Sequence, residues 1–551
     1  MGALEVGAVG QEVDAAALGR ERRRAHRERL ALCVEALEGM LTEHAGGRAR
    51  FEADPPRVGV ELELVLVDPA TSAPLRANDA VLQRIAASSD GSDGSDGSDG
   101  SGGSDVPSGG AGEWGPEISA HTLEVNLPPG ALEGRGLAAL ERGLRSRLDA
   151  AGARAREAGG RLLMTGLLPT LLPEHTGGDW MTPSARYRAL QEAVLDARGE
   201  DLALDVEAAP ETPGGQRLSL LLDTLAAEGA CTSTQVHLKV APEQFAASWN
   251  AAQLLMGPQL ALGANSPFAF GARCWEESRV PVFTQSVDTR PPELAAAGVP
   301  PRVFPGSGWL DPARGALAAW DLFAENARLF PPLLPQTWTE DPAAELAAGR
   351  APRLPELCLQ GGTVWRWNRP VYDVSPQTGA GAGARAALAH LRIENRVLPA
   401  APTVLDAVAD AAVWLGAVHA LRTGGPDPAQ LLPHAAAVAG LHDGAREGLR
   451  ALLPWPGLGL VAAPRLLLEV VLPLAADGLA AAGVSSAEVD RYLQVAERRA
   501  AAGRTGAQWQ ARAVAALEER GADRRAALAG MVARYAELED GGEPVHTWPD
   551  L

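Results

Sequence analysis

Two glutamates one residue apart, Glu61 and Glu63, stand in the run VGVELELVLVD (Val58 to Asp68), which is rich in Val and Leu and bounded by Pro56 and Pro69. Such a run reads as a β-strand. Successive strand side chains point to opposite faces, so both carboxylates project from one side while Val60, Leu62 and Leu64 project from the other. The same parity recurs in three further strand-like segments: HTLEVNL pairs Glu124 with Asn126, CTSTQVHLKV groups Gln235, His237 and Lys239, and LRIENRVL aligns Arg392, Glu394 and Arg396. On any single strand these residues could be an ordinary solvent face. Together they are unusual, because exposed sheet faces carry Thr, Ser, Tyr and mixed Lys and Glu rather than clustered acids, one imidazole and paired arginines. Carboxylate oxygens with one imidazole suit a hard cation such as Mg²⁺ or Mn²⁺. Zinc fits less well, since there is no HExxH spacing and no second His near His237. Ions held there would bridge nucleotide phosphates, and Arg392 and Arg396, flanking Glu394, could clamp phosphate oxygens through bidentate hydrogen bonds.

The composition narrows the partners. A formal charge of -20, from 49 basic and 69 acidic residues, disfavours a phosphate backbone or an anionic membrane surface. Lys239 is the only lysine and lies in a strand-like HLKV, so there is no P-loop; if ATP is used, arginines and metal ions must hold its phosphates. Cys33, Cys231, Cys274 and Cys358 are scattered without CxxC pairing, which argues against a disulfide framework and a thiolate zinc site. No apolar run is expected to span a bilayer, the greasiest, Leu466 to Leu474, being broken by Glu469 and Pro473. The N-terminus shows no signal-peptide pattern, with Glu5, Glu12 and Asp14 ahead of the basic run Arg20 to Arg24, and a reducing cytoplasmic location is expected.

Elements that must position these residues follow from periodicity. Leu30, Cys33, Val34, Leu37 and Leu41 predict an amphipathic helix over Glu21 to His44. Helical patterns run from Leu137 to Ala158 and from Phe245 towards Asn265 and Pro267, and again from Thr403 to about Leu538 with breaks near Pro426, Pro454 and Gly483. The Ser-Asp-Gly repeat over 88–112 has almost nothing to bury and reads as a disordered insertion. With 551 residues and 46% hydrophobic content, the chain should hold two or three packed parts. These are an N-terminal helical segment (1–50), a catalytic domain (51–402) and a helical C-terminal subdomain (403–551). Strands and helices without regular βαβ alternation favour an α+β fold on an antiparallel sheet.

Six motifs in order, VGVELELVLVD, EISAHTLEVNLPP, TSTQVHLKV, GANSPF followed by ESR, TVWRWNRPVYD and LRIENRVLPAAPT, resemble the glutamate-cysteine ligase family 2 over roughly Val58 to Asp406. The resemblance implies a glutamine-synthetase-like curved antiparallel β-sheet flanked by helices, and ATP-dependent, Mg²⁺-dependent joining of a carboxylate to an amine through an acyl phosphate. By motif match, Glu61, Glu63, Glu117, Glu124, His237 and Glu394 would be metal ligands. Arg396, Arg369 and Arg279 would be catalytic arginines on phosphate or substrate, and Arg392, Arg396 and Gln235 would serve nucleotide binding. The expected partners are small-molecule amino acid and amine substrates, with neither nucleic acid nor membrane, and homo-oligomerisation stays open. Two other readings stand beside this one: a phosphagen-type guanidino kinase on the same scaffold, and a non-catalytic descendant that binds nucleotide or amino acid. Trp365 and Trp367 are as well suited to packing as to lining a pocket, Asn265 to ending a helix as to orienting substrate, and His121 to a structural or exposed position.

Overall fold

The computed structural model describes residues 19–52, 56–90, 113–375, 388–424 and 427–551. The start of the chain before Gly19 and the repeat over 91–112 lie outside the described residues. Thirteen strands are described: β1 (Arg57–Val67), β2 (Trp114–Pro116), β3 (Thr122–Ala131), β4 (Arg161–Leu163), β5 (Leu202–Glu207), β6 (Arg217–Leu222), β7 (Thr234–Val240), β8 (Phe268–Ala269), β9 (Ala272–Arg273), β10 (Asn368–Val374), β11 (Ala389–Asn395), β12 (Leu452–Trp455) and β13 (Gly459–Ala462).

Seven of them form one curled antiparallel sheet in the order β10-β11-β7-β1-β3-β2, with β4 also on β1. Its four central strands are those the alternation of side chains marks out. Their apolar faces, with Leu62, Leu64, Val125, Val236, Leu238 and Ile393, enter one hydrophobic core together with the helix Val404–Gly424. Past Glu63 the opposite face also turns apolar, and Val65 and Val67 join a second core. The polar stretch of the sheet is therefore bounded at that end by packing.

Beyond residue 403, the helix Val404–Gly424 packs on the sheet at β7, and Leu472–Ala481 and Ser486–Ala502 pack on that helix in turn. Val404–Gly424 and Leu472–Ala481 touch backbone to backbone at Gly416 and Gly478, where an added Cβ on Gly478 would lie 1.8 Å from the Gly416 carbonyl oxygen. Only glycine permits that approach. The helical tail also contains the β12–β13 hairpin, which its composition did not reveal. One expectation needs correction: Val404–Gly424 is long and apolar enough to cross a membrane, with mean hydropathy 1.5, yet 78% of its apolar window is buried inside the fold. Burial on all sides, by Leu472–Ala481, Ser486–Ala502, Phe245–Leu254 and Gly136–Glu157 as well as β7, is what calls for so uniform a helix.

His121 is not exposed. It is buried at the start of β3 next to Trp180, and neither ring nitrogen has a hydrogen-bond partner among the described residues. Burial, and then the neighbouring His175, push its pKa down to about 3. Above about pH 6.5 the ring is neutral folded or unfolded; below it the unfolded chain takes a proton that the folded state refuses. Stability should thus fall with pH from about 6.5 towards 3, by about 1.4 kcal/mol per pH unit from this group. In His121→Leu, denaturant unfolding between pH 6 and 4 should show a shallower slope by that amount, and an unchanged slope would show that the histidine is not held neutral.

Candidate active site

Register brings the polar residues together. Across the sheet, Arg369 of β10 faces Glu394 of β11, Glu394 faces His237 of β7, and His237 faces Gly59 of β1. One step along, Gln235 faces Glu61 and Glu61 faces Asn126; beyond that Glu63 faces Glu124. Because all pairs share strand parity, these side chains crowd onto the concave face left free by the helices. Glu117, three residues before the buried Ala120 and His121, reaches the same place from the segment between β2 and β3.

The carboxylates fall into two groups with opposite electrostatics. Oxygens of Glu63, Glu117 and Glu124 lie within 4.8 Å of one another. Burial, then repulsion from Glu63 and Glu228, raises Glu117 well above the usual carboxylate range; burial, then Glu61, Glu117 and Glu63, does the same to Glu124. Glu63 is raised by burial in spite of Arg396 and Ser233. It accepts hydrogen bonds from the Ser233 amide (2.7 Å), the Ser233 hydroxyl (3.0 Å) and Gln235 Nε2 (2.7 Å), which fix its orientation.

Glu394, in contrast, is fully buried and saturated with positive charge. Arg369 Nε donates to its Oε2 at 2.9 Å, Arg369 Nη2 donates to the same oxygen, and Arg396 Nη1 donates to Oε1 at 2.5 Å. Against the cost of burial, these two arginines hold Glu394 well below the usual range, and Glu394 in turn holds Arg396 charged. Arg396 Nη1 also donates to Gln235 Oε1 at 2.6 Å, so the Gln235 amide links the arginine to Glu63. Glu61 lies between the groups: burial raises it, but His237, with Arg369 behind it, pulls it down. His237 Nε2 stands 3.1 Å from Glu61 Oε1, off the angle a hydrogen bond needs, and has no hydrogen-bond partner among the described residues.

This donor set fits a divalent cation. Three mutually repelling carboxylates, a fourth facing an imidazole nitrogen with no hydrogen bond between them, and no arginine bonded to Glu117 or Glu124 among the described ion pairs form a cluster whose charge a cation would balance. Glu63, Glu117 and Glu124 could hold it, with Glu61 and His237 adjoining on the same face. Glu394 Oε1, bonded to Arg396 alone among the described residues, keeps a further lone pair, whereas Oε2 accepts twice from Arg369.

The other expected residues sit elsewhere or do other work. Arg392 lies on the same face but at its end, donating to Asp373 Oδ2 at 3.1 Å, and Lys239 beside it pairs with Glu52 at 3.0 Å. Arg279 is buried with its guanidinium turned into the protein: it pairs with Glu277 at 3.1 Å and donates to the carbonyls of Arg396 and Val397. It thereby fixes the backbone that carries Arg396. Trp365 and Trp367 pack against Phe283. Asn265 donates to the Ala400 carbonyl (2.8 Å) and the Tyr535 hydroxyl (2.9 Å), tying the last helices to the core. Sequence reasoning missed Glu228, in the turn between β6 and β7, which burial and Glu63 push up to about 8. No periodic pattern surrounds it. A separate groove of about 690 Å³, lined by Arg76, Asn78, Asp179, Thr182, Ser184 and Arg188, contains none of these carboxylates.

Residues 57–311 match the model of the family "Glutamate-cysteine ligase family 2". Among solved structures, a glutamate–cysteine ligase from Francisella tularensis in complex with AMP aligns with TM-score 0.45 and 12% identity, over 91% of this chain and 97% of that one. A bifunctional glutathione synthetase from Pasteurella multocida aligns with TM-score 0.39 and 11% identity, over 88% of this chain and 52% of that one. No curated protein sequence matches. Glu61, Glu63, Glu117, Glu124 and His237 all fall inside the matched stretch, over which the chain is similar to the glutamate-cysteine ligase family 2.

Proposed function

We propose that the chain is a Mg²⁺-dependent ligase that spends ATP to couple the γ-carboxylate of glutamate to an amine. The observation that carries this reading is the convergence on one concave face of a cation-starved carboxylate cluster and, beside it, two arginines held by Glu394. Phosphoryl transfer to a carboxylate needs little more from a protein than positioning and charge, which these groups supply. Glu61, Glu63, Glu117, Glu124 and His237, with Glu394 at the edge, would hold Mg²⁺ or Mn²⁺. Bound there, the metal would neutralise phosphate oxygens and orient the triphosphate.

The chain's own residues account for the rest. Arg369 and Arg396 are pre-aimed by the single carboxylate of Glu394, so their remaining N–H groups are placed for phosphate oxygens without reorganisation. Arg392 extends the positive edge for the nucleotide. Gln235 keeps Glu63 and Arg396 at fixed separation, and Arg279 acts as a positioning residue through the backbone of Arg396. Attack of the substrate carboxylate on the γ-phosphorus releases ADP and leaves an acyl phosphate; the amine then adds to its carbonyl, and phosphate departs as the amide forms. No nucleophilic side chain is required. We also propose that the helices after residue 403 act as a scaffold rather than an independent unit, since they share the core of the sheet.

Incubation with MgATP, glutamate and a panel of amines, read by mass spectrometry, should give ADP and one amide in equal amounts, with cysteine as the first amine to try. A phosphorylated small molecule without amide would assign a kinase instead, and absence of ADP would reject the reading.

A further inference from the structure

Glu228 has the features of an unfilled binding group. It is nine-tenths buried, its Oε2 meets no donor, and it forms no ion pair with a described residue. A carboxyl group so placed is unfavourable unless something else satisfies it. Its position is built in: the Thr122 hydroxyl donates to the Gly229 carbonyl at 3.1 Å, and Gly229 lies so close to Ile118 and Ser119 that an added Cβ would meet the Ser119 amide nitrogen at 2.5 Å. The turn is therefore clamped against the segment that carries Glu117. Glu63, Glu117 and Tyr187 all lie within electrostatic reach of the Glu228 carboxylate. Yet Glu228 is not part of the group whose oxygens lie within 4.8 Å of one another, so it stands beside the ion cluster rather than in it.

A deep carboxyl group bordering the reaction centre, outside the cluster, suits a positively charged hydrogen-bond donor that arrives with the substrate and favours its ionised form. We infer that Glu228 receives the ammonium group of the amino-acid substrate and so selects an α-amino acid over a plain dicarboxylate. This inference rests on the ligase reading and deepens it. A site built to bond a polar group rejects the analogue that lacks it, because its own buried group is then left unpaired.

The test compares glutamate with glutarate, which lacks the ammonium group, using MgATP and one fixed amine, in wild type and in Glu228→Gln. Wild type should prefer glutamate, and Glu228→Gln should shrink the glutamate-to-glutarate ratio of kcat/KM about 30-fold, chiefly through the KM for glutamate. Calorimetric titration of glutamate in the presence of MgADP should show the same loss of affinity, which a purely structural residue would not make specific to one acid. Equal loss with both acids, or no change, would overturn the inference. Lack of wild-type ligation with any acid would reject the ligase reading itself and take the inference down with it.

Discussion

Glu124→Gln should lower metal-dependent ATP turnover about 10²–10³-fold and, in the absence of metal, make the protein more stable rather than less. The two effects share one cause. Glu124 faces Glu63 across the β1–β3 pair, and their oxygens, with those of Glu117, lie within 4.8 Å. Burial and three neighbouring glutamates resist its ionisation, and among the described residues its side-chain donor is Asn126 Nδ2 at 2.8 Å. An amide of the same shape has no charge to suppress and needs no proton taken up on folding, so the empty site is more stable. It also replaces an anionic ligand by a neutral oxygen, so a divalent ion binds less well. Calorimetric melting with and without Mg²⁺ separates the outcomes. The wild-type protein should gain melting temperature with Mg²⁺, whereas the variant should start higher and gain little. A variant that melts lower without metal, or that keeps its turnover, would show that the three carboxylates do not share an ion.

The face that carries this cluster was legible in the sequence because antiparallel strands with one packed side alternate strictly. Glu61 and Glu63, or Gln235 and His237, declare a common direction with no knowledge of the neighbours. What alternation does not encode is register. That Glu63 lies opposite Glu124 and Glu394 opposite His237 depends on pairing between strands far apart in the chain. Strand β10 escaped notice because Pro370 interrupts it; the proline is tolerated since β10 is the edge of the sheet. Strands β2 and β4, of three residues each, are too short to show a period. Glu228 sits in a turn whose sequence, AAEGA, has no pattern, and its meaning comes from the close approach of Gly229 to Ser119. Arg279 has the residue type of a phosphate ligand, but only packing decides that its guanidinium turns towards the carbonyls of 396 and 397.

The joint between the sheet and the C-terminal helices yields the largest expected stability change. Arg499, on the helix Ser486–Ala502, is fully enclosed and bonds Asp410 Oδ1 at 2.6 Å and Asp406 Oδ1 at 2.7 Å, both on the helix Val404–Gly424. Asp406 Oδ2 also accepts from the Thr403 hydroxyl (2.9 Å) and from the Val545 amide (3.0 Å), so one triad holds two helices and the chain's last turn. Burial, joined by repulsion from Asp406, pushes Asp410 up to about 6, even with Arg499 attached. Arg499→Met therefore strands two carboxylates in an apolar setting, and urea unfolding should show a loss of about 3–5 kcal/mol. The triple change Asp406→Asn, Asp410→Asn, Arg499→Met should recover much of it, because a neutral set incurs no desolvation penalty for charge. None of these residues touches the carboxylate cluster, so the folded fraction of each variant should keep its kcat. Equal destabilisation in the single and triple variants would mean that the triad matters through its shape and hydrogen bonds, not through its charge.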